Sequence, residues 1–258
     1  MWSGVQRGSQ AEQVGRLIIA GFVVIALPTF PFGNYLIYPF YLLTTWFHEM
    51  GHGMTAELMG QDFQRLKIFA DGSGWAESFV ANDASPVVNA AIAAGGPLAP
   101  SIIGSLLIVA SAHEKAWRPT LIALAVTIFV SVIIYVRSEV GVAVLPIIGA
   151  LLVLLAWKAN DGLVRFSLQF LGILAAISMF QDWDYLFSEG GMVGGQPMIS
   201  DTGQIEAALF LPHWFWAAAI VLMSSVMIGA SLKYALSDER RRPPRVKKPA
   251  NVLQFKRK

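Results

Sequence analysis

The stretch TTWFHEMGHGMTAELMG, residues 44–60, sets His48, Glu49 and His52 in a run that otherwise reads as apolar helix. On a helix, residues four apart stand on one face, a turn from one another. That spacing lets two imidazole nitrogens bind one zinc ion, with Glu49 beside the first histidine to act on a water at the metal. Zinc is a Lewis acid that brings the pKa of such a water towards about 7, while the carboxylate takes its proton. A catalytic site keeps one coordination position open, so one further protein ligand is expected. Chance is a poor rival. With four His and nine Glu in 258 residues, H-E-x-x-H arises at random in about 0.2% of such chains. Ionisable groups are also costly in a membrane helix and are kept there for function.

The elements that must position this trio read as membrane helices. The chain is 55% hydrophobic and only 14% charged, against roughly a quarter charged in soluble domains. Cysteine is absent, which excludes disulfides, thiolate metal sites and a cysteine nucleophile. Seven apolar segments can be drawn, at 17–31, 35–59, 86–111, 119–136, 140–157, 163–180 and 207–232, near or above spanning length. Between the second and third, RLKIFADGSGWAESF holds two short alternating runs around Asp71, Gly72, Ser73 and Gly74, a β-hairpin signal. The expected fold is an all-α polytopic membrane protein with about seven transmembrane segments and a small hairpin after the second. A polar start without a small-residue cleavage site predicts that the first segment is retained.

Charge divides the chain. The tail from Ser237 holds nine of the nineteen Lys and Arg against Asp238 and Glu239, leaving a net charge of −5 for the remainder. Residues 1–236 are therefore read as one membrane-embedded unit and 237–258 as a basic, disordered tail. A basic, proline-interrupted tail can bind nucleic acid. After a membrane span it is read instead as a cytosolic tail that sets topology and touches anionic lipid, so no nucleic-acid partner is expected. The expected location is the cell (inner) membrane, crossed several times.

The segment FHEMGHGMTAELMGQDFQRLKIFADGSGWA, residues 47–76, resembles the site-2-protease-like membrane zinc metallopeptidases, and their B-type branch in particular. In that branch H-E-x-G-H precedes a small residue, a hairpin with an Asp-Gly-Ser-Gly turn and a next helix bearing Gly and Pro. Here these are residues 48–52, Gly53, residues 71–74, and Gly95, Gly96 and Pro97. SDTGQIEAALFLPHWFW is similar to the Ser-Asp segment before the branch's last helix. The resemblance implies zinc held by two histidines and an acid, and hydrolysis of membrane-protein or peptide substrates in or near the bilayer.

Three aspartates are candidates for the third ligand. Asp201 matches the branch's Ser-Asp pair, although a helix N-cap describes that pair equally well. Asp182 and Asp184 lie on the same side of the membrane but differ by two residues, so only one could face the site from a helix. Asp161 resembles an Asp-Gly ligand motif of the broader family, yet counting spans puts it on the opposite face. Asp201 is taken as the metal ligand with His48 and His52, and Glu49 as the catalytic base. Glu57 is read as a helix-end contact, His113 as solvated and His213 as interfacial. The positive-inside rule turns the zinc site to the outer face, whereas the resemblance implies a site nearer the cytosol. The rival to a peptidase is a non-catalytic scaffold with a retained metal site, which has no need of Glu49. A transporter is disfavoured because the middles of the third to fifth segments are almost wholly apolar.

Overall fold

The computed structural model describes residues 10–181 and 183–237. The polar start, Asp182 and the basic tail from residue 238 lie outside the described residues. The chain is mostly helical. Helix α1 (Gln10–Ala26) passes through a short 3-10 turn into α2 (Gly33–Leu58), which carries Pro39 within it. Gly60, at φ 75°, ends α2: its N–H donates to Glu57 O (3.0 Å) and that of Gln61 to Ala56 O (2.9 Å). This closure satisfies the last carbonyls and turns the chain sharply. Strands β1 (Asp62–Ile68) and β2 (Gly74–Phe79) follow and pair antiparallel around residues 69–73.

Helices α3 (Pro86–Ser111), α4 (Trp117–Ile134), α5 (Glu139–Lys158) and α6 (Asp161–Gln181) come next. After the single-turn α7 (Trp183–Leu186), β3 (Gly190–Val193) and β4 (Gln196–Ile199) form a second hairpin. The chain closes with α8 (Asp201–Leu209) and α9 (His213–Leu236). The apolar run expected at 207–232 is therefore interrupted. Phe210 adopts φ 59° and Pro212 precedes α9, a combination that stops one helix and starts another.

Among the described residues, five helices are long and apolar enough to cross a membrane: Pro86–Ser111, Glu114–Ile134, Glu139–Lys158, Asp161–Ser178 and His213–Leu236. Their outer surfaces carry exposed Ile122, Val126, Leu151, Leu154, Leu222 and Val226, as a lipid-facing surface requires. The main core joins α2, β1, α4, α5 and α6 through Leu43, Trp46, Leu66, Ile128, Leu145 and Leu168. Trp46 Nε1 donates to Ser131 Oγ at 2.9 Å, pinning α2 to α4. The outer edge of β1 is taken as well, because Leu66 N–H donates to Tyr135 O (3.0 Å) and Arg137 N–H to Leu66 O (2.9 Å). A second cluster packs α3, α8 and α9 through Ala90, Ile205 and Ile220. It holds the start of α8 beside the middle of α2.

Candidate metal centre

Small residues let α3 pass close to α2. A Cβ at Gly51 would overlap Ala99 and the Gly95 carbonyl, one at Gly95 would overlap Thr55, and one at Gly96 would overlap the His52 imidazole. Such contacts permit near backbone approach. They also shape the slot in which His52 sits. There His52 Nδ1 lies 2.8 Å from Ile92 O. A carbonyl only accepts, so Nδ1 carries the proton, and Nε2 presents a bare lone pair to the site.

Asp201 comes to the same place from the first turn of α8. The N-cap is Ser200, not Asp201: Ser200 Oγ accepts from Gly203 N–H at 3.1 Å and donates to Ser188 O at 2.5 Å. Thr202 Oγ1 donates to Leu186 O at 2.7 Å. With its neighbours on both sides tied to the backbone, the Asp201 carboxylate is left to face α2.

His48 Nε2 and His52 Nε2 are 3.1 Å apart. Asp201 Oδ2 is 3.0 Å from the former and Oδ1 is 3.2 Å from the latter. Donor atoms at about 2.0–2.1 Å from a tetrahedral ion stand about 3.3 Å from one another, so the triangle is close to that of three ligands. Asp201 is 5% exposed, and its Oδ2 has no hydrogen-bond partner among the described residues although His48 is near. A buried carboxylate whose two oxygens stand 3.0 and 3.2 Å from imidazole nitrogens gathers three donor atoms that a cation between them would satisfy together. The three residues form a group that could hold a metal ion, and their donor chemistry, nitrogen with carboxylate oxygen, suits a divalent transition ion.

Glu49, 5% exposed, lies alongside. The Ala76 backbone amide bonds its carboxylate, and a Cβ at Gly74 would meet Glu49 Oε1 and Thr45 Cγ2. The hairpin turn is tied to α2 by Thr45 Oγ1 donating to Gly72 O (2.6 Å) and Tyr38 OH donating to Ala70 O (2.8 Å). Within the turn, Ser73 donates to Asp71 Oδ1 from its hydroxyl (2.6 Å) and its backbone N–H (2.9 Å), holding that carboxyl below its usual range. The second hairpin meets the first at its tip, where Gly194 N–H donates to Ser73 Oγ at 3.0 Å. Gly194 has φ 56° and lies against Phe69, leaving no room for a side chain. Between the two hairpins and α2, α3 and α8 is a cleft of about 900 Å³, lined by His48, Glu49, His52 and Asp201 together with residues of β2 and β4.

The other polar residues fall elsewhere. Asp184 is exposed and does not line the cleft, and Asp182 lies outside the described residues. Asp161 pairs with Arg118 at 2.7 Å. Glu57 accepts from Phe63 N–H at 3.0 Å, closing the end of α2. His113 is exposed against Tyr234 OH (3.0 Å), and His213 pairs with Glu206 at 2.9 Å. Sequence reasoning missed the β3–β4 hairpin. Its signal was Gly194-Gly195, both at positive φ, the two-residue turn that joins such strands.

A family model described as Peptidase M50B-like matches residues 17–231. The chain belongs to this family. Comparison with curated proteins and with solved structures gives no match. The matched part of this Peptidase M50B-like chain takes in α2, both hairpins and α8, and so the whole of the cleft. It agrees with the resemblance to the B-type branch of the site-2-protease-like family carried by residues 47–76. Membership in a peptidase family gives the cluster a context, that of a membrane metallopeptidase.

Proposed function

We propose that this chain is a zinc endopeptidase that hydrolyses peptide bonds in or close to the bilayer, with His48, His52 and Asp201 as the metal ligands. The observation that carries the reading is the convergence of the buried Asp201 carboxylate and the two imidazoles within 3.2 Å of one another, with Glu49 buried beside them. A zinc ion held by these three residues would supply the Lewis acidity that peptide hydrolysis near neutral pH needs. Glu49 takes the proton from the attacking water and returns it to the leaving amine nitrogen. The Ala76 amide fixes its carboxylate for both transfers.

The free edge of β2 suits an extended substrate. Leu66 spends its N–H and carbonyl on residues 135–137, away from β2, so its partner Ala76 is a non-hydrogen-bonded pair. The backbone groups of Ala76 therefore point away from β1, towards the cleft. With the Ala76 N–H given to Glu49, the Ala76 carbonyl is left to accept from the N–H of a substrate strand, which brings a neighbouring substrate carbonyl towards the cluster. Deleting 69–74 should abolish cleavage without removing zinc.

Helices α1 and α2 complete seven crossings with the five apolar helices in this reading. At 26 residues and about 1.5 Å per residue, α2 exceeds the hydrocarbon thickness. Its two histidines and Glu49 are shielded by α3, α8 and β2. The basic tail lies on the cytosolic side of the cell membrane, and residues 1–236 act as one membrane-embedded unit. The test is cleavage of a membrane-tethered peptide by reconstituted protein. Glu49→Gln should retain zinc and lose at least about a hundredfold in rate. Full activity in that variant would refute the role given to Glu49.

A further inference from the structure

A second cavity, of about 330 Å³, opens where the ends of β2 and β4 approach α3 and α8. Val80, Ile92, Ile199, Ala207 and Ala208 wall it, with the amides of Asn89 and Gln204. Four of these seven residues, Val80, Ile92, Ile199 and Gln204, also line the cleft that holds the metal cluster. We infer that this cavity is a side-chain subsite of the peptide cleft and selects an uncharged, apolar residue close to the scissile bond. The inference rests on the peptidase reading and adds a substrate preference to it.

Position supports the assignment. Ile92 is the residue whose carbonyl holds His52 Nδ1, and Gln204 follows Asp201 by one helical turn on α8. The cavity is thus attached to two of the cluster residues through single turns of α3 and α8. In an extended strand, side chains two residues apart share a face about 6.6–6.8 Å from each other. A strand laid along β2 with a carbonyl at the cluster therefore brings a neighbouring side chain to this opening.

Chemistry decides what enters. Among the described residues the lining contains no Asp, Glu, Lys or Arg, so a charged side chain would find no counter-charge there, whereas an apolar one would cover apolar wall. At about 30 Å³ per water, the space equals that of about eleven waters, enough for a Leu- or Phe-sized group. Asn89 and Gln204 favour a peptide over a lipid acyl chain, because their amides can pair with backbone N–H and C=O groups that an acyl chain lacks. Gln204 has capacity to spare, since among the described residues its amide nitrogen makes only a long contact of 3.5 Å with Ile199 O.

The test uses zinc-loaded, full-length Glu49→Gln protein in detergent, so that binding is read without turnover. Labelled peptides carrying Leu, Phe, Ala, Asp or Lys at each position in turn serve as probes. One position should bind Leu or Phe at least about tenfold more tightly than Asp or Lys. Adding Ala207→Phe, at an exposed position of α8, should move the preference at that position to Ala and leave the others unchanged. Adding Ala207→Glu should raise the affinity for Lys there. Peptide binding that discriminates at no position, or that ignores both substitutions because lipid or detergent fills the space, would overturn the subsite. Discrimination as described, with no peptide cleaved by wild type, would overturn the peptidase reading and leave the subsite standing.

Discussion

Gly96→Ala should cripple the metal centre without touching a ligand. The added Cβ would overlap three ring atoms of His52, at Nε2, Cε1 and Cδ2. Those distances fall well inside the ~3.5 Å of an ordinary carbon contact, so the ring must retreat by more than about 1 Å. It has no free direction, because Nδ1 is bound to Ile92 O on the same helix that carries the new methyl group. Donor-to-metal distances tolerate only about ±0.2 Å. Disturbing the support of a ligand typically costs 10–100-fold in metal affinity, or about 1.4–2.8 kcal/mol, and Gly96→Ala should fall in or beyond that range. Gly229→Ala is the matched control, since none of the described residues lies within 4 Å of its added Cβ and it sits in α9. Zinc affinity measured by chelator competition, with helicity followed in parallel, separates the two. A Gly96→Ala protein that is folded and binds zinc as tightly as wild type would refute the close packing of α3 on His52.

Two further perturbations probe the parts that aim the site. Ser200→Ala removes the cap of α8 and a bond to Ser188; it should cost about 1–2 kcal/mol of stability and weaken zinc binding, read as thermal midpoint and metal competition. Asp71→Asn tests the hairpin turn through pH. The folded Asp71 carboxyl is depressed by its bonds from Ser73, so its stabilisation is present above the unfolded value of about 3.9 and is lost as pH falls through the folded one. The gap in thermal midpoint between wild type and Asp71→Asn should therefore be steady from pH 7 to about pH 5 and close below about pH 4; a gap that widens in acid would contradict this.

The chemistry was most legible where it is local. His48, Glu49 and His52 are joined by helical spacing, so a sequence reader can bring them together without knowing the fold. Asp201 is about 150 residues away, and no spacing rule spans such a gap. Ser-Asp before an apolar run signals an N-cap, and the cap is there, but Ser200 makes it. Gly95 and Gly96 stood out as a motif, while the groups they accommodate, Thr55 and the His52 ring, are set only by how α3 crosses α2. Apolar runs located the long helices well and their interruptions poorly. The run at 207–232 hid the break at Phe210 because two leucines and a phenylalanine keep hydropathy high through a turn. The β3–β4 hairpin was missed for the opposite reason: its strands are four residues each, too short for alternation to register.

Metal content tests the central claim most directly. Detergent-purified wild type and His48→Ala, both supplied with zinc and then washed, should be compared by elemental analysis. About one zinc per chain in wild type and almost none in His48→Ala is the expected result. Wild type that holds no zinc after supplementation, or His48→Ala that holds as much as wild type, would contradict a metal centre at His48, His52 and Asp201.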